Sequence, residues 1–353
     1  MLKKAGALLL ICASLATWIS CAKTTNHYLY AAIPAANEIF VYREDPNSGI
    51  LTELSLSPIG AGLGVQSLVL HPSNKYLYAA NSTEGDVSLF TISSDGALVE
   101  SLPRATAGIA PTVLAMDTAG AYLYVANSGS NDISVFSISA SDGTLTAVGS
   151  PVPIGLSPIN LKLAPSGDVL YVTGQGSLGG VIQAFSLSSG QLTPVPGSPF
   201  QTGNNPYGLA ISPNGNYLYT ANTLDNSISE FTITGGVLAP IPGSPIGETY
   251  TSPLALLVSN SGNYLCVANE GSNNIAVYAI GSDGSLSVIS TSPFASNAEP
   301  AFIASDPNGE YLFVGNQTSA AVQSFGIAAS SGALTAVASY PIAGTPTSIV
   351  VLP

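Results

Sequence analysis

Positive charge is what this sequence has least of. Lys and Arg total 7 in 353 residues against 20 Asp and Glu, a formal net charge of −13. Binding to nucleic acid relies on clustered cations that neutralise phosphates, so nucleic acid is excluded as a partner. No arginine follows Arg104 and no histidine follows His71, which leaves most of the chain without an imidazole or a guanidinium. Charged residues of both signs make up 8% and apolar residues 46%, the balance of a globular chain whose polarity comes from Ser, Thr, Asn and Gly. Cysteine is scarce too, at Cys12, Cys21 and Cys266, and with the first two in or next to an export signal no disulfide pair remains. Stability must then come from a large core, in which Cys266 serves as a small buried hydrophobe. No Ser-His-Asp spacing, Cys/His cluster, contiguous calcium loop or phosphate-cradling loop can be read, so the expectation is no metal and no cofactor.

What is present in abundance is repetition. A motif written YLYVAN at 122–127 recurs with its first residue at Tyr28, Tyr76, Tyr122, Val169, Tyr217, Tyr264 and Tyr311, steps of 46 to 48 residues. An aromatic follows each at Tyr42, Phe90, Phe136, Phe185, Phe231, Tyr278 and Phe325. Eleven residues ahead of the motif stands Pro111, Pro158, Pro206, Pro253 or Pro300, with Val65 in the second copy. A period of this length marks one supersecondary unit that buries its apolar face only against its neighbours.

Each copy holds four short apolar runs. In the third they are 111–116, 121–126, 132–138 and 144–149, separated by Ala119-Gly120, a short loop and Asp142-Gly143. Pairs such as Asn214-Gly215, Asp95-Gly96 and Asp283-Gly284 supply the positive φ of tight hairpins. The pattern predicts four-stranded antiparallel blades. Pro194, Pro196, Pro240 and Pro242 place the fourth strand on the outer edge, where missing N–H donors cost nothing. The aliphatic column Leu68, Leu114, Leu161, Leu209, Leu256, Ile303 and Ile349 places the first strand innermost, packed between blades. The first copy opens at its second strand, whereas residues 345–353 form an inner strand with nothing after it. The fold class is therefore all-β, a seven-bladed β-propeller closed by pairing the C-terminal strand with residues 28–32.

The N-terminus reads as an address. Lys3 and Lys4 precede the apolar run 5–17, and Ser20 precedes Cys21, the layout of a secretory signal over 1–20. Ser20-Cys21 resembles the lipobox of bacterial lipoproteins, which would make Cys21 the lipidated first residue; ordinary cleavage is the alternative. A single domain over 21–353 is expected, monomeric, in the cell envelope, touching membrane only through that lipid.

YLYVAN, ISVFSIS and DGTLTAV resemble the YVTN-type repeats of the lactonase-like seven-bladed propellers, a family that includes 6-phosphogluconolactonases and relatives of carboxymuconate cyclases. The resemblance covers about residues 28–353. It implies, for the enzymes, Arg and His with a Glu around the mouth of the central channel, with an Arg-His pair directly after an inner-strand proline. Here those positions read Pro206-Tyr207-Gly208 and Pro158-Ile159-Asn160.

Two functions follow: a binding module for an envelope protein, glycan or small molecule, or a lactone hydrolase or cycloisomerase acting at the channel mouth. The catalytic candidates are Glu270 and Glu299, carboxylates expected on adjacent blades at the mouth. The ligand-binding candidates are Lys162, on an inner strand where other blades carry Val69, Ala115, Ala210, Leu257, Ala304 and Val350; Tyr207; and Asn127, Asn222 and Asn269, which end second strands. These asparagines also suit turns that need left-handed backbone.

Overall fold

A computed structural model describes residues 26–177, 179–247 and 249–353. The proposed signal and Cys21 lie outside the described residues. The chain forms seven antiparallel sheets around a central axis, an all-β seven-bladed propeller. The inner strands run Val65–Leu70, Pro111–Met116, Pro158–Leu163, Pro206–Ile211, Pro253–Val258, Pro300–Ser305 and Ser348–Leu352. The last of these pairs with the first strand of the chain, Tyr28 opposite Leu352, Tyr30 opposite Val350 and Ala32 opposite Ser348. The ring closes within one blade, as the two ends of the sequence imply.

The core is seven apolar clusters, one at each junction between neighbouring blades. Each receives one member of the inner-strand aliphatic column: Leu68 joins blades 1 and 2, and Ile349 joins blades 7 and 1. A fully buried Leu contributes roughly 1.5–3 kcal/mol of transfer free energy, so apolar burial is the common element of all seven junctions.

The motif and the hairpin glycine prove to be two halves of one contact. The first residue of the motif lies on the glycine of the next blade's third-to-fourth strand hairpin: Tyr28 on Gly96, Tyr76 on Gly143, Tyr122 on Gly190, Tyr217 on Gly284, Tyr264 on Gly332 and Tyr311 on Gly49. A methyl group on Gly143 would sit 2.9 Å from the Tyr76 ring and one on Gly332 2.6 Å from the Tyr264 ring. These glycines are needed for positive φ and for having no Cβ. The third motif residue adds a bond from beneath. Tyr30 Oη donates to Gly96 O (3.0 Å), Tyr78 to Gly143 (2.7 Å), Tyr171 to Gly236 (3.3 Å) and Tyr219 to Gly284 (2.8 Å). In the sixth and seventh copies Cys266 and Phe313 occupy that place, and neither carries a hydroxyl to donate.

The outer strand differs from the simple edge strand expected. In five blades it is split, and a two-residue segment such as Ile246–Gly247 returns to pair with the third strand after the break. A serine spans each of four breaks: Ser57, Ser198, Ser244 and Ser292 Oγ accept the N–H of Val41, Ala184, Glu230 and Val277 at 2.8–3.0 Å. The side chain satisfies the ladder donor that the interrupted edge leaves behind.

Candidate functional site

Six inner strands carry a β-bulge directly after their first residue, at Gln66, Thr112, Ile159, Tyr207, Leu254 and Ala301. A bulge re-aims a side chain and terminates regular pairing. All six bulged residues line the central channel, a cavity of about 620 Å³. One position further on, polar side chains sew inner strands of neighbouring blades together. Ser348 Oγ accepts Leu68 N–H (3.0 Å), Ser67 Oγ accepts Leu114 N–H (3.1 Å), and Asn160 Nδ2 donates to Tyr207 O (2.8 Å). That last bond fixes the strand presenting Tyr207.

Tyr207 is half-buried, and desolvation, with the Glu270 carboxylate acting on it, raises its pKa. Glu270 is raised in turn by burial and by Glu299. The two carboxylates stand on loops of adjacent blades, and neither is among the residues that line the channel. Glu270 N–H donates to Ser252 O (2.9 Å), while Asn273 Oδ1, from the loop after Glu270, accepts Glu299 N–H (2.7 Å). Thr318 Oγ1 donates to Glu299 Oε2. Gln317, whose N–H donates to Glu299 O (2.8 Å), reaches the channel wall. Sequence reasoning missed it, although it follows Asn316 as Glu270 follows Asn269.

Lys162 lines the channel as well. Its side chain is open to water yet enclosed by protein, and that desolvation lowers its pKa. Among the described residues no ion pair includes it. By contrast, Arg104 is taken up by Glu84 and by Glu100, at 2.7 Å, on the second blade.

The three asparagines fall outside this site. Asn127, Asn222 and Asn269 are fully buried. Asn127 Nδ2 donates to Asp132 (2.7 Å) and Ser134 (2.9 Å), and its Oδ1 accepts Gly108 N–H (3.1 Å). Asn222 bonds Ser227 and Ser229, and Asn269 bonds Asn274. Their amides tie the third strand, and in Asn127 and Asn222 also the segment entering the blade, to the end of the second strand. The left-handed turn expected of them lies four residues on, at Asn131 (φ 59°), Asn226 (48°) and Asn273 (53°).

His71 also stays structural, its Nδ1 accepting Ser73 N–H (3.0 Å) and its Nε2–H donating to Gly120 O (3.0 Å). One group of potential cation ligands occurs among the described residues: His27, Glu44 and Asp306, all buried, with ligand atoms within 4.8 Å of one another. His27 Nδ1 is 3.1 Å from Glu44 Oε2, and Asp306 accepts the N–H groups of Asn308, Glu310 and Tyr311 at 2.6–3.0 Å. The His27–Glu44 contact lies within blade 1 and the backbone bonds to Asp306 within blade 7, and the group forms where these two blades meet.

The family description "Lactonase, 7-bladed beta-propeller" matches residues 25–204 and 180–351. The chain belongs to this lactonase family of seven-bladed propellers. Among solved structures it is similar to a candidate 6-phosphogluconolactonase of Bacteroides fragilis, at 19% identity over 94% of this chain and 99% of that one, TM-score 0.82. It is also similar to a Lactobacillus plantarum protein (22% identity, 93% and 99%, TM-score 0.81) and to a periplasmic gluconolactonase of Pseudomonas aeruginosa (20%, 93% and 99%, TM-score 0.76). At these identities the likeness establishes the fold. No curated protein is significantly similar to the chain in sequence.

Proposed function

We propose that this protein is an exported, monomeric binding propeller of the cell envelope, anchored through Cys21, that takes a ligand into its central channel. The observation that carries this reading is a ligand-sized channel of about 620 Å³ whose wall carries both polar and apolar side chains. The Arg and His that the lactonase resemblance implies are replaced there by Tyr207-Gly208 and Ile159-Asn160. The ligand is a small molecule or the tip of a glycan or envelope protein. The signal-like start and the periplasmic relative in Pseudomonas aeruginosa support an envelope location.

A second reading is lactone hydrolysis, favoured by one observation: Glu270 has a raised pKa, stands beside Glu299 and acts on Tyr207. A carboxyl moved toward neutrality is suited to general acid–base work on a lactone carbonyl. Purified residues 22–353 would be assayed on neutral and acidic lactones beside Glu270→Gln and Glu299→Gln. No turnover above background is expected; turnover abolished by either substitution would overturn the binding reading. Labelled palmitate is expected to attach to the full chain and not to Cys21→Ser, and equal labelling of both would remove the anchor.

A further inference from the structure

We propose that the channel accepts a small monocarboxylate with an apolar body, its carboxylate on Lys162 and its body against Ile159, Leu254 and Phe302. This rests on the reading of the channel as a ligand pocket and names the class of ligand. The anomaly that leads to it is positional. At the same inner-strand position the other six blades carry Val69, Ala115, Ala210, Leu257, Ala304 and Val350. The ammonium therefore stands where every other blade places an aliphatic side chain that packs between blades, and among the described residues no ion pair includes it. A cation taken out of bulk water without a partner costs free energy, and that cost is offset when an anion is bound beside it. The depressed lysine pKa agrees with an ammonium that lacks such a partner.

The rest of the wall defines what accompanies the charge. The channel wall mixes polar and apolar side chains, and Val113, Ile159, Leu254, Ala255 and Phe302 form its apolar part. A body without many hydroxyls fits that apolar part, because each hydroxyl left unpaired against it would carry a desolvation cost. The polar groups near the mouth, Gln66, Thr112, Tyr207 and Gln317, suffice for one or two hydrogen bonds to the far end of the molecule. A second negative charge at that end would meet the field of Glu270, which already acts on Tyr207, in a protein of net charge −13. Hence one carboxylate, placed deep.

After residue 21 the chain has three lysines, Lys23, Lys75 and Lys162, so selective carbon-13 labelling of the lysine ε-carbons gives a spectrum that can be assigned by substitution. The probe is phenylacetate, with 2-phenylethanol and 2-phenylethylamine as neutral and cationic analogues of the same shape and gluconate as a polyhydroxylated carboxylate. Phenylacetate is expected to shift one lysine signal, absent from Lys162→Met, and to bind about tenfold or more tighter than the alcohol. Lys162→Met should reduce phenylacetate to the level of the alcohol, Lys162→Arg should retain the preference, and affinity should fall as pH rises through the Lys162 pKa. Equal phenylacetate affinity in Lys162→Met with an unchanged melting curve would overturn the anchor. So would no binding of any carboxylate up to about 20 mM, and gluconate binding tighter than phenylacetate would overturn the apolar body. Lactone turnover alongside Lys162-dependent binding would remove the binding-only reading while leaving the anchor standing, so the two failures are separable.

Discussion

The junctions between blades and the wall of the channel are built from the same seven repeats, and they treat variation in opposite ways. At the junctions each position does one job: in six copies a tyrosine ring on a hairpin glycine, with Val169 on Gly236 in the fourth, an aliphatic from the inner strand, and in four blades a buried hydroxyl on the glycine carbonyl. In the channel, the six bulged positions hold Gln66, Thr112, Ile159, Tyr207, Leu254 and Ala301, six different residues. Packing between blades needs equivalent surfaces at each step around the ring, whereas a ligand is asymmetric and needs each blade to contribute something else. Departures from the repeat are therefore to be read by where they fall. Cys266 departs at a junction and loses a bond; its thiol, pushed up to about 12 by burial, is an inert filler. Lys162 departs in the channel and gains a charge.

Three experiments would break or sharpen this contrast. The largest effect is expected from Gly284→Ala, where φ is 86° and a methyl group would overlap the Tyr217 ring. Urea unfolding should show a loss of about 3 kcal/mol or more, against about 1 kcal/mol for Gly243→Ala. Gly243 has similar backbone (φ 97°) and nothing within 4 Å of the added carbon. Equal losses would mean that backbone conformation alone selects the glycine and that the ring contact is incidental.

Next in size, Tyr219→Phe should cost about 1–2 kcal/mol by stranding the Gly284 carbonyl. Phe313→Tyr, at a junction lacking the hydroxyl, should gain about 0.5–1 kcal/mol. A neutral result in both would reduce the buried tyrosines to plain apolar filler.

The smallest effect belongs to the channel. The folded pKa of Lys162 is depressed, so between that value and the ordinary 10.5 the unfolded chain binds the proton more tightly and stability rises with pH. Lys162→Met should accordingly melt about 1–2 °C above the parent at pH 7, with the gap closing toward pH 10. A gap independent of pH would show that the lysine's ammonium carries no cost there.

The sequence announced the junctions far more clearly than the mouth, for a physical reason. A contact repeated around the ring leaves a column of identical letters: Tyr76, Tyr122, Tyr217, Tyr264 and Tyr311 and the prolines at 111, 158, 206, 253 and 300 each begin a strand, and the hairpin glycines lie in the turns between strands. Closure by residues 348–352 was legible because one copy lacked a strand that the end of the chain supplied. The bulges were not legible, since a one-residue slip in a ladder changes no residue type and only makes the residue after the proline look like any other. The asparagines misled because the same side chain suits a left-handed turn and a buried amide bridge, and only the placement of Asp132, Ser134 and Ser229 decides between them. Ser57, Ser198, Ser244 and Ser292 each precede a proline, at 58, 199, 245 and 293, outside the edge prolines singled out from the sequence, and a serine there has no letter to mark its bond to the ladder.

Pairing of residues 28–32 with 348–352 has a bearing on how the molecule comes into being. The blade made first stays without its innermost wall until the last strand leaves the ribosome, and every other blade waits on it for a closed circle. The protein cannot mature piece by piece as an open solenoid can. Its final five-residue strand acts as a latch, and a chain that reaches the far side of a membrane unfastened would be completed there.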